Sequence, residues 1–316
     1  MISEKSYLPI LSGFMYSTIF GFSFMFTKQG LEFLQPMQLL GFRFAFGAII
    51  LTMLWVLGTI KINLKGKRLG LLFLLALFQP VSYFIFEVNG LNLISASEAG
   101  MMIALIPVLV AVLAGIFLDE RPTGIQFFFI VLSVSGVIFI NLMKGQFDVN
   151  SNILGILLIL GAVVSAGFFN ILSRKSSLHF KPVEITFVMM WIGTFVFNSI
   201  ALIQHINNGN LNEYLSPLQN GQVLIPILYL GGLSSVVAFF LVNYTLSRIE
   251  ASKSAVFANL TTIISVVAGV VILQEAFYWF HFVGGIMILL GVWGTNYFDK
   301  NRMKIKAIKR RKNWTY

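Results

Sequence analysis

The sequence predicts an all-α integral membrane protein whose ten transmembrane helices form an inverted-topology repeat of two five-helix halves. Three observations carry this: a composition too apolar for water, ten apolar stretches of spanning length, and a gapless internal duplication. Of 316 residues, 57% are hydrophobic and only 11% charged, with a mean hydropathy of +0.86. A soluble domain carries about 25% charged residues, so composition excludes a soluble enzyme, a disordered chain and a secreted disulfide scaffold. The 32 Phe and 27 Gly suit apolar helices packed closely in lipid. With no Cys, disulfides, zinc–thiolate sites, Fe–S clusters and cysteine nucleophiles are excluded as well.

A membrane-spanning helix needs about 20 mainly apolar residues. Span one, roughly 7–27, presents a small-residue face of Gly13, Ser17 and Gly21. With about 20 residues, no small-residue cleavage site and nine more spans after it, it is not expected to be a cleaved signal peptide. Span two, about 34–57, buries one charge, Arg43. Span three, about 69–88, places Gln79, Tyr83 and Glu87 on one helix face by four-residue spacing. Span four, about 95–118, is apolar around its circumference from Met101 on, with Ala111 and Gly115 as a small stripe. Span five covers about 124–143 and span six 153–173; spans seven to ten run near 183–204, 222–246, 253–273 and 277–297. Membrane strands are excluded, because they alternate apolar and polar residues over about ten positions.

Orientation follows from the Lys/Arg bias of cytoplasmic loops. With the N-terminus inside, 19 of the 22 Lys/Arg fall inside; only Lys28 and Lys144 fall outside, and Arg43 lies within span two. Both termini are therefore expected in the cytoplasm. Eight of these cations lie between Lys300 and Lys312, directly after an apolar span. That reads as an anchor at an anionic membrane face rather than a nucleic-acid surface. The expected domains are a first half at 7–143, a second at 153–297 and a basic cytoplasmic tail at 298–316.

The segment Ile94–Asn141 aligns without gaps on Ile249–Asn296 at an offset of 155, with 11 identities in 48 positions, among them Ser97/Ser252, Glu120/Glu275, Gly136/Gly291 and Asn141/Asn296. Earlier in each half the offset is 146: Gly21/Gly167, Lys28/Arg174, Pro36/Pro182 and Gly47/Gly193. One insertion, most simply His205–Gln222, accounts for the difference. Five spans per copy is odd, so the second half must enter the membrane from the opposite side, an architecture that recurs in secondary transporters.

The motifs Phe20-Gly21-Phe22-Ser23, Ser95-Ala96-Ser97-Glu98-Ala99-Gly100, Ala104-Leu105-Ile106-Pro107-Val108 and Leu118-Asp119-Glu120, with Leu273-Gln274-Glu275 in the second copy, resemble the EamA family of the drug/metabolite transporter superfamily. Thr262 departs from that pattern where the first copy has Pro107. The resemblance implies a basket of helices around a cavity lined by spans one, three and four and their partners six, eight and nine. It also implies efflux of amino acids or other small metabolites across a cell membrane, often against a proton gradient.

Polar groups at membrane depth are costly and point to protein or a water-filled path. The candidate cavity residues are therefore Gln79, Tyr83, Glu87, Arg43, Asn170 and Asn259. Glu87 reads as a proton or amine site, or as a solvated rim carboxylate. Arg43 reads as an anion site or a structural pair with Glu32 or Glu87, and the asparagines as interhelical hydrogen-bonding groups. Lys28 and Glu98 are gate or helix-end candidates, Glu98 being favoured near a helix N-terminus. No phosphate loop, metal-ligand spacing or nucleophile–base pair appears, so no enzyme activity, cofactor or metal is expected. The expected partners are a small-molecule substrate and the lipid bilayer, without nucleic acid; a homodimer is left open. The leading reading is secondary active transport by alternating access, with a proton gradient as one energy source. A lipid-linked carrier or flippase is the alternative.

Overall fold

The computed structural model describes residues 7–67, 69–117, 123–144, 149–249, 254 and 257–312. Among them are ten helical segments: α1 (Leu8–Leu31), α2 (Pro36–Val56), α3 (Gly70–Leu93), α4 (Ala96–Ile103 and Ile106–Phe117), α5 (Gly124–Lys144), α6 (Val149–Ser176), α7 (Pro182–Asn207), α8 (Gly221–Arg248), α9 (Ala258–Val271) and α10 (Trp279–Lys312). Six are long and apolar enough to cross a membrane, α1, α2, α3, α6, α7 and α8; the apolar parts of α4, α5, α9 and α10 are shorter. Large side chains such as Phe14, Phe73, Phe195 and Val267 stay exposed on the outer faces. A soluble monomer rarely exposes an apolar patch beyond a few hundred Å², so this belt calls for lipid.

Local chemistry sets the helix ends. Pro9, Pro36 and Pro182 sit in the first turns of α1, α2 and α7, where a missing N–H costs nothing. Ser95 and Glu98 form a capping box that starts α4. Sequence periodicity predicts span four as one helix, but it breaks at Ala104–Leu105. Pro107 has no N–H to give the preceding turn, and Ala104 and Leu105 bond to Met101 and Met102 in a tighter i−3 pattern. Span ten continues unbroken through the basic stretch to Lys312.

Two helices lose regularity at matching places. In α3, residues Leu77–Ser82 widen around Gln79, whose φ of −150° and ψ of 114° are non-helical, beside Pro80. In α8, residues Tyr229–Ala238 widen likewise. The 155-residue offset carries 77–82 onto 232–237, inside that segment.

The packing follows the duplication. Adding five to a helix number in one half, or subtracting it in the other, converts α1–α9 into α6–α4, α3–α6 into α8–α1, and α2–α8 into α7–α3. The pairs α2–α7, α4–α9 and α5–α10 map onto themselves, and all three run antiparallel. In α5–α10, Gln126 bonds the Thr295 carbonyl while Ser133 bonds that of Ile288. In α4–α9, Thr262 donates to Gly100 and Ser265 to Ala96. The contacts also exchange: Gly47 faces Met190 as Gly193 faces Phe44, and Gly136 faces Ile288 as Gly291 faces Ser133.

The small face of α1 packs on α9. Gly13 abuts the Phe257 ring, Gly21 abuts Ile264, and Ser17 donates to the Phe257 carbonyl at 2.8 Å. The stretch that interrupts the repeat folds back beneath α2 and α7. There Tyr214 donates to Asn198, and its carbonyl accepts from Gln38 at 2.8 Å. Burial raises the Tyr214 hydroxyl to about 12, so it remains a donor.

Gly291 tests this interface. A Cβ there would stand 2.6 Å from the Phe129 carbonyl oxygen and 2.6 Å from the Ser133 nitrogen, backbone atoms that cannot rotate away. Gly291→Ala is expected to destabilise by about 1–3 kcal/mol, lowering the Tm of the detergent-purified protein. Gly70→Ala, with open space around it, should not; equal Tm values would refute the close approach.

Candidate transport cavity

The space between the halves holds a cavity lined by residues of both. Its walls come from α1, α3, α4, α6, α8, α9 and Ser254, plus Arg43 of α2. Aromatic side chains dominate: Tyr16, Phe20, Phe24, Tyr83, Phe84, Phe169 and Phe239. Gln79, Tyr83, Glu87, Arg43 and Asn170 meet in this one cavity.

Arg43 is 1% exposed. Its Nε donates to Ser235 Oγ and its Nη2 to Ser234 Oγ, both at 2.8 Å. The guanidinium carbon lies 4.3 Å from the Phe84 ring centroid, a cation–π distance. Thus a first-half cation is held by hydroxyls on the widened turns of α8. Nη1 has no hydrogen-bond partner. Neither Glu32 nor Glu87 pairs with Arg43 within 4 Å among the described residues.

Glu87 is 2% exposed, so it is not a solvated rim carboxylate. Its Oε2 also lacks a hydrogen-bond partner. The site therefore presents a guanidinium with one nitrogen unpartnered and a carboxyl group with one oxygen unpartnered, in a chamber with aromatic walls.

Other candidates lie elsewhere. Asn170 reaches the cavity but gives its amide to the Ala166 carbonyl at 2.8 Å. Asn259 is half-buried on α9 outside the walls, its Oδ1 unpartnered. Lys28 is half-buried near the end of α1 and also outside the walls. Its repeat partner Arg174 donates to the Leu246 carbonyl at 2.8 Å, closing the end of α8. Asn243 ties three helices, accepting from Ser173 and donating to Thr186. Glu98 caps α4 and lies 3.7 Å from His281 Nε2. The motif residues Glu120 and Lys253 lie outside the described residues.

The sequence reading did not foresee two contacts. Ser235 holds Arg43; its signal was the Gly231-Gly232-Leu233-Ser234-Ser235 run at the repeat position of Gln79-Pro80. The other is Glu275, which the sequence offered only as a repeated motif residue. Its carboxylate accepts from Ala96 N at 2.7 Å, Ser97 N at 2.9 Å and the Ser97 hydroxyl. A second-half anion thereby caps the first turn of α4, where the helix dipole favours it.

The EamA-like transporter family matches residues 8–142 and again 153–297. The chain belongs to the EamA-like transporter family. It is 40% identical over 296 residues to the uncharacterized transporter YcxC of Bacillus subtilis (strain 168), covering 94% of this chain and 95% of that one. It is 25% identical over 205 residues to the "Probable terminal-alkyne amino-acid exporter" of Streptantibioticus cattleyicolor, covering 63% of each. A crystal structure at 15% identity superposes with a TM-score of 0.64, covering 91% of this chain and 97% of that chain; this speaks to fold alone. The EamA-like chain is thus a multi-pass membrane transporter of small molecules, not an enzyme.

Arg43 offers a sign test. Removing both acceptors with Ser234→Ala plus Ser235→Ala strands a buried guanidinium, at a cost of about 3–5 kcal/mol. Arg43→Met removes the charge with its need for partners. The double serine variant is expected to melt below Arg43→Met in thermal unfolding; the reverse order would show that Arg43 is hydrated rather than held.

Proposed function

We propose that this EamA-like protein exports small zwitterionic, amino-acid-like solutes by alternating access in exchange for protons. The reading places it in the plasma membrane, with all ten helices spanning and both termini cytoplasmic. The halves at 7–143 and 153–297 insert with opposite topology, followed by the basic tail 298–316. The observation that carries the reading is a pair of unsatisfied buried atoms, Arg43 Nη1 and Glu87 Oε2, on two residues that line one aromatic-walled cavity. A substrate carboxylate satisfies the first and a substrate ammonium the second. The exporter of Streptantibioticus cattleyicolor, named for an amino acid, supports the same class.

Exchange follows from charge. Glu87 can hold an ammonium or a proton, not both. With a zwitterion bound, the Arg43 and Glu87 charges stay balanced. With Glu87 protonated the site carries one net positive charge, so the return step is drawn inward by an inside-negative potential. One proton enters per zwitterion exported, and the cycle is electrogenic.

The antiparallel self-pairing of α2–α7, α4–α9 and α5–α10 supports opposed insertion, as a two-fold axis in the membrane plane requires it. The repeat offset relates Glu275 and Ser97 to Glu120 and Ser252, so exchanging the conformations of the halves would exchange these contacts. Glu275 on α4 lies at the external end in this orientation. The cavity walls reach Asn170, Val242 and Ser254 toward the cytoplasmic end, which supports an inward-facing state.

Liposome flux tests the function. An outward-directed pH gradient or an imposed potential should drive saturable uptake or release of amino acids by the wild type. Glu87→Gln should abolish gradient-driven accumulation while leaving exchange of one substrate for another. Arg43→Met should raise KM about ten-fold or more, one lost charge-assisted bond being worth at least about 1.4 kcal/mol. No saturable flux across an amino-acid panel would sink the substrate class, and flux indifferent to potential would sink the charge accounting. Separately, Glu275→Ala should raise external maleimide labelling of an Ile103→Cys probe about ten-fold; unchanged labelling would remove Glu275 from the external closure.

A further inference from the structure

A second hollow shares no lining residue with the transport cavity. It is an open fissure of about 550 Å³ where the end of α2, the start of α7 and the middle of α8 meet. Its walls are apolar: Leu51 and Leu54 on α2, Val236, Val237 and Phe240 on α8. Its mouth is different, with Thr59, Lys61 and Lys181 together at one end. At 1.5 Å per helical residue, the walls run about 6 Å inward from Phe240 to Val236, away from the lysines.

The charge at that mouth is uncompensated. Residues 57–69 hold four cations and no acid; residues 174–184 hold three cations and one acid, Glu184. Glu184 is occupied: it accepts from Lys67 Nζ at 2.7 Å, Lys181 N at 2.9 Å and Asn63 N at 3.1 Å. Lys61 and Lys181 are exposed at the rim, and neither is paired with a carboxylate within 4 Å among the described residues.

We propose that this fissure is a binding site for one anionic phospholipid of the cytoplasmic leaflet. The phosphodiester sits between the Lys61 and Lys181 ammonium groups with the Thr59 hydroxyl as a further donor, and an acyl chain lies along Leu54, Leu51, Val237 and Val236. Two point charges at the mouth of an apolar slot match a phosphate joined to a hydrocarbon chain. They also select against zwitterionic lipids, whose headgroup ammonium would be driven against the same lysines. Basic pockets between helices at the cytoplasmic face are suited to such headgroups. The site rests on the proposed orientation but not on the substrate of the central cavity.

The test uses the full chain, purified in mild detergent and re-lipidated with phosphatidylglycerol, phosphatidylcholine or phosphatidylethanolamine. Retained lipid is counted by native mass spectrometry. One phosphatidylglycerol per chain is expected, favoured at least about ten-fold over phosphatidylcholine. Lys61→Gln plus Lys181→Gln should erase the preference with Tm unchanged, and Val237→Trp should expel the lipid by filling the slot. Lys300→Gln plus Arg302→Gln should leave both intact. Equal retention of the three lipids, or a preference that survives the double lysine variant, would overturn the site. So would displacement of the bound lipid by saturating amino acids, or a Lys61–Lys61 cross-link between two copies that excludes lipid. As the chain has no native Cys, Lys61→Cys can be labelled from either side. External labelling would overturn the cytoplasmic assignment alone, leaving the headgroup result to stand by itself.

Discussion

Burying Arg43 constrains everything around it. A guanidinium cannot be neutralised at any working pH, so a lipid-embedded bundle must supply acceptors or pull the charge out of place. Here the acceptors are Ser234 and Ser235, on the one stretch of α8 whose backbone leaves regular helical geometry. The widened turns aim two consecutive hydroxyls at one planar group, which side chains about 100° apart on a regular helix do poorly. Phe84 covers a face of the same cation. Three helices, α2, α3 and α8, are thus fixed in register by one side chain, and the site's free donor exists because only part of that side chain is satisfied.

This arrangement joins the halves without welding them. Arg43 belongs to the first half and its acceptors to the second, as Glu275 belongs to the second and its helix N-terminus to the first. Both are short-range, charge-assisted contacts that can break and re-form over a few ångströms. The broad contacts between halves are of another kind. Gly21 of α1 against α9, Gly136 and Gly291 between α5 and α10, and Gly47 and Gly193 between α2 and α7 give smooth, small-residue faces. Such faces hold by dispersion and tolerate rocking better than interlocked large side chains. Polar latches on smooth bearings would suit the alternating access proposed above.

Much of this was legible in the sequence because lipid imposes so narrow a grammar. Helix positions followed from apolar runs, and the partnering of halves from two constant offsets. Gln79, Tyr83 and Glu87 could be grouped because four-residue spacing holds along α3 despite the distortion at Gln79. Where a contact depended on backbone irregularity, the letters were silent. Periodicity does not reveal that α8 widens at Tyr229–Ala238, so Arg43 was assigned carboxylate partners rather than serines. The depth of Glu87 was equally hidden, because a position near the end of a span reads as rim until neighbouring helices cover it. Asn259 looked like Asn170, yet only one of the two helices turns that face inward.

The same logic separates two of the molecule's cationic sites by what balances them. Glu184 neutralises Lys67 and seats the loop before α3 against the start of α7, which leaves Lys61 and Lys181 over an apolar slot. Arg43 has hydroxyls and an aromatic face, but no carboxylate within ion-pair distance, and opens on a chamber shared with Glu87. In each place the protein satisfies part of a cation's demand and leaves part facing a cavity. At the membrane edge the remainder would select the resident anion attached to hydrocarbon proposed above. At the bundle centre, on the proposed function, it would select a transient one that brings its own ammonium for Glu87. Incomplete satisfaction at two depths therefore distinguishes a ligand that stays from one that passes through.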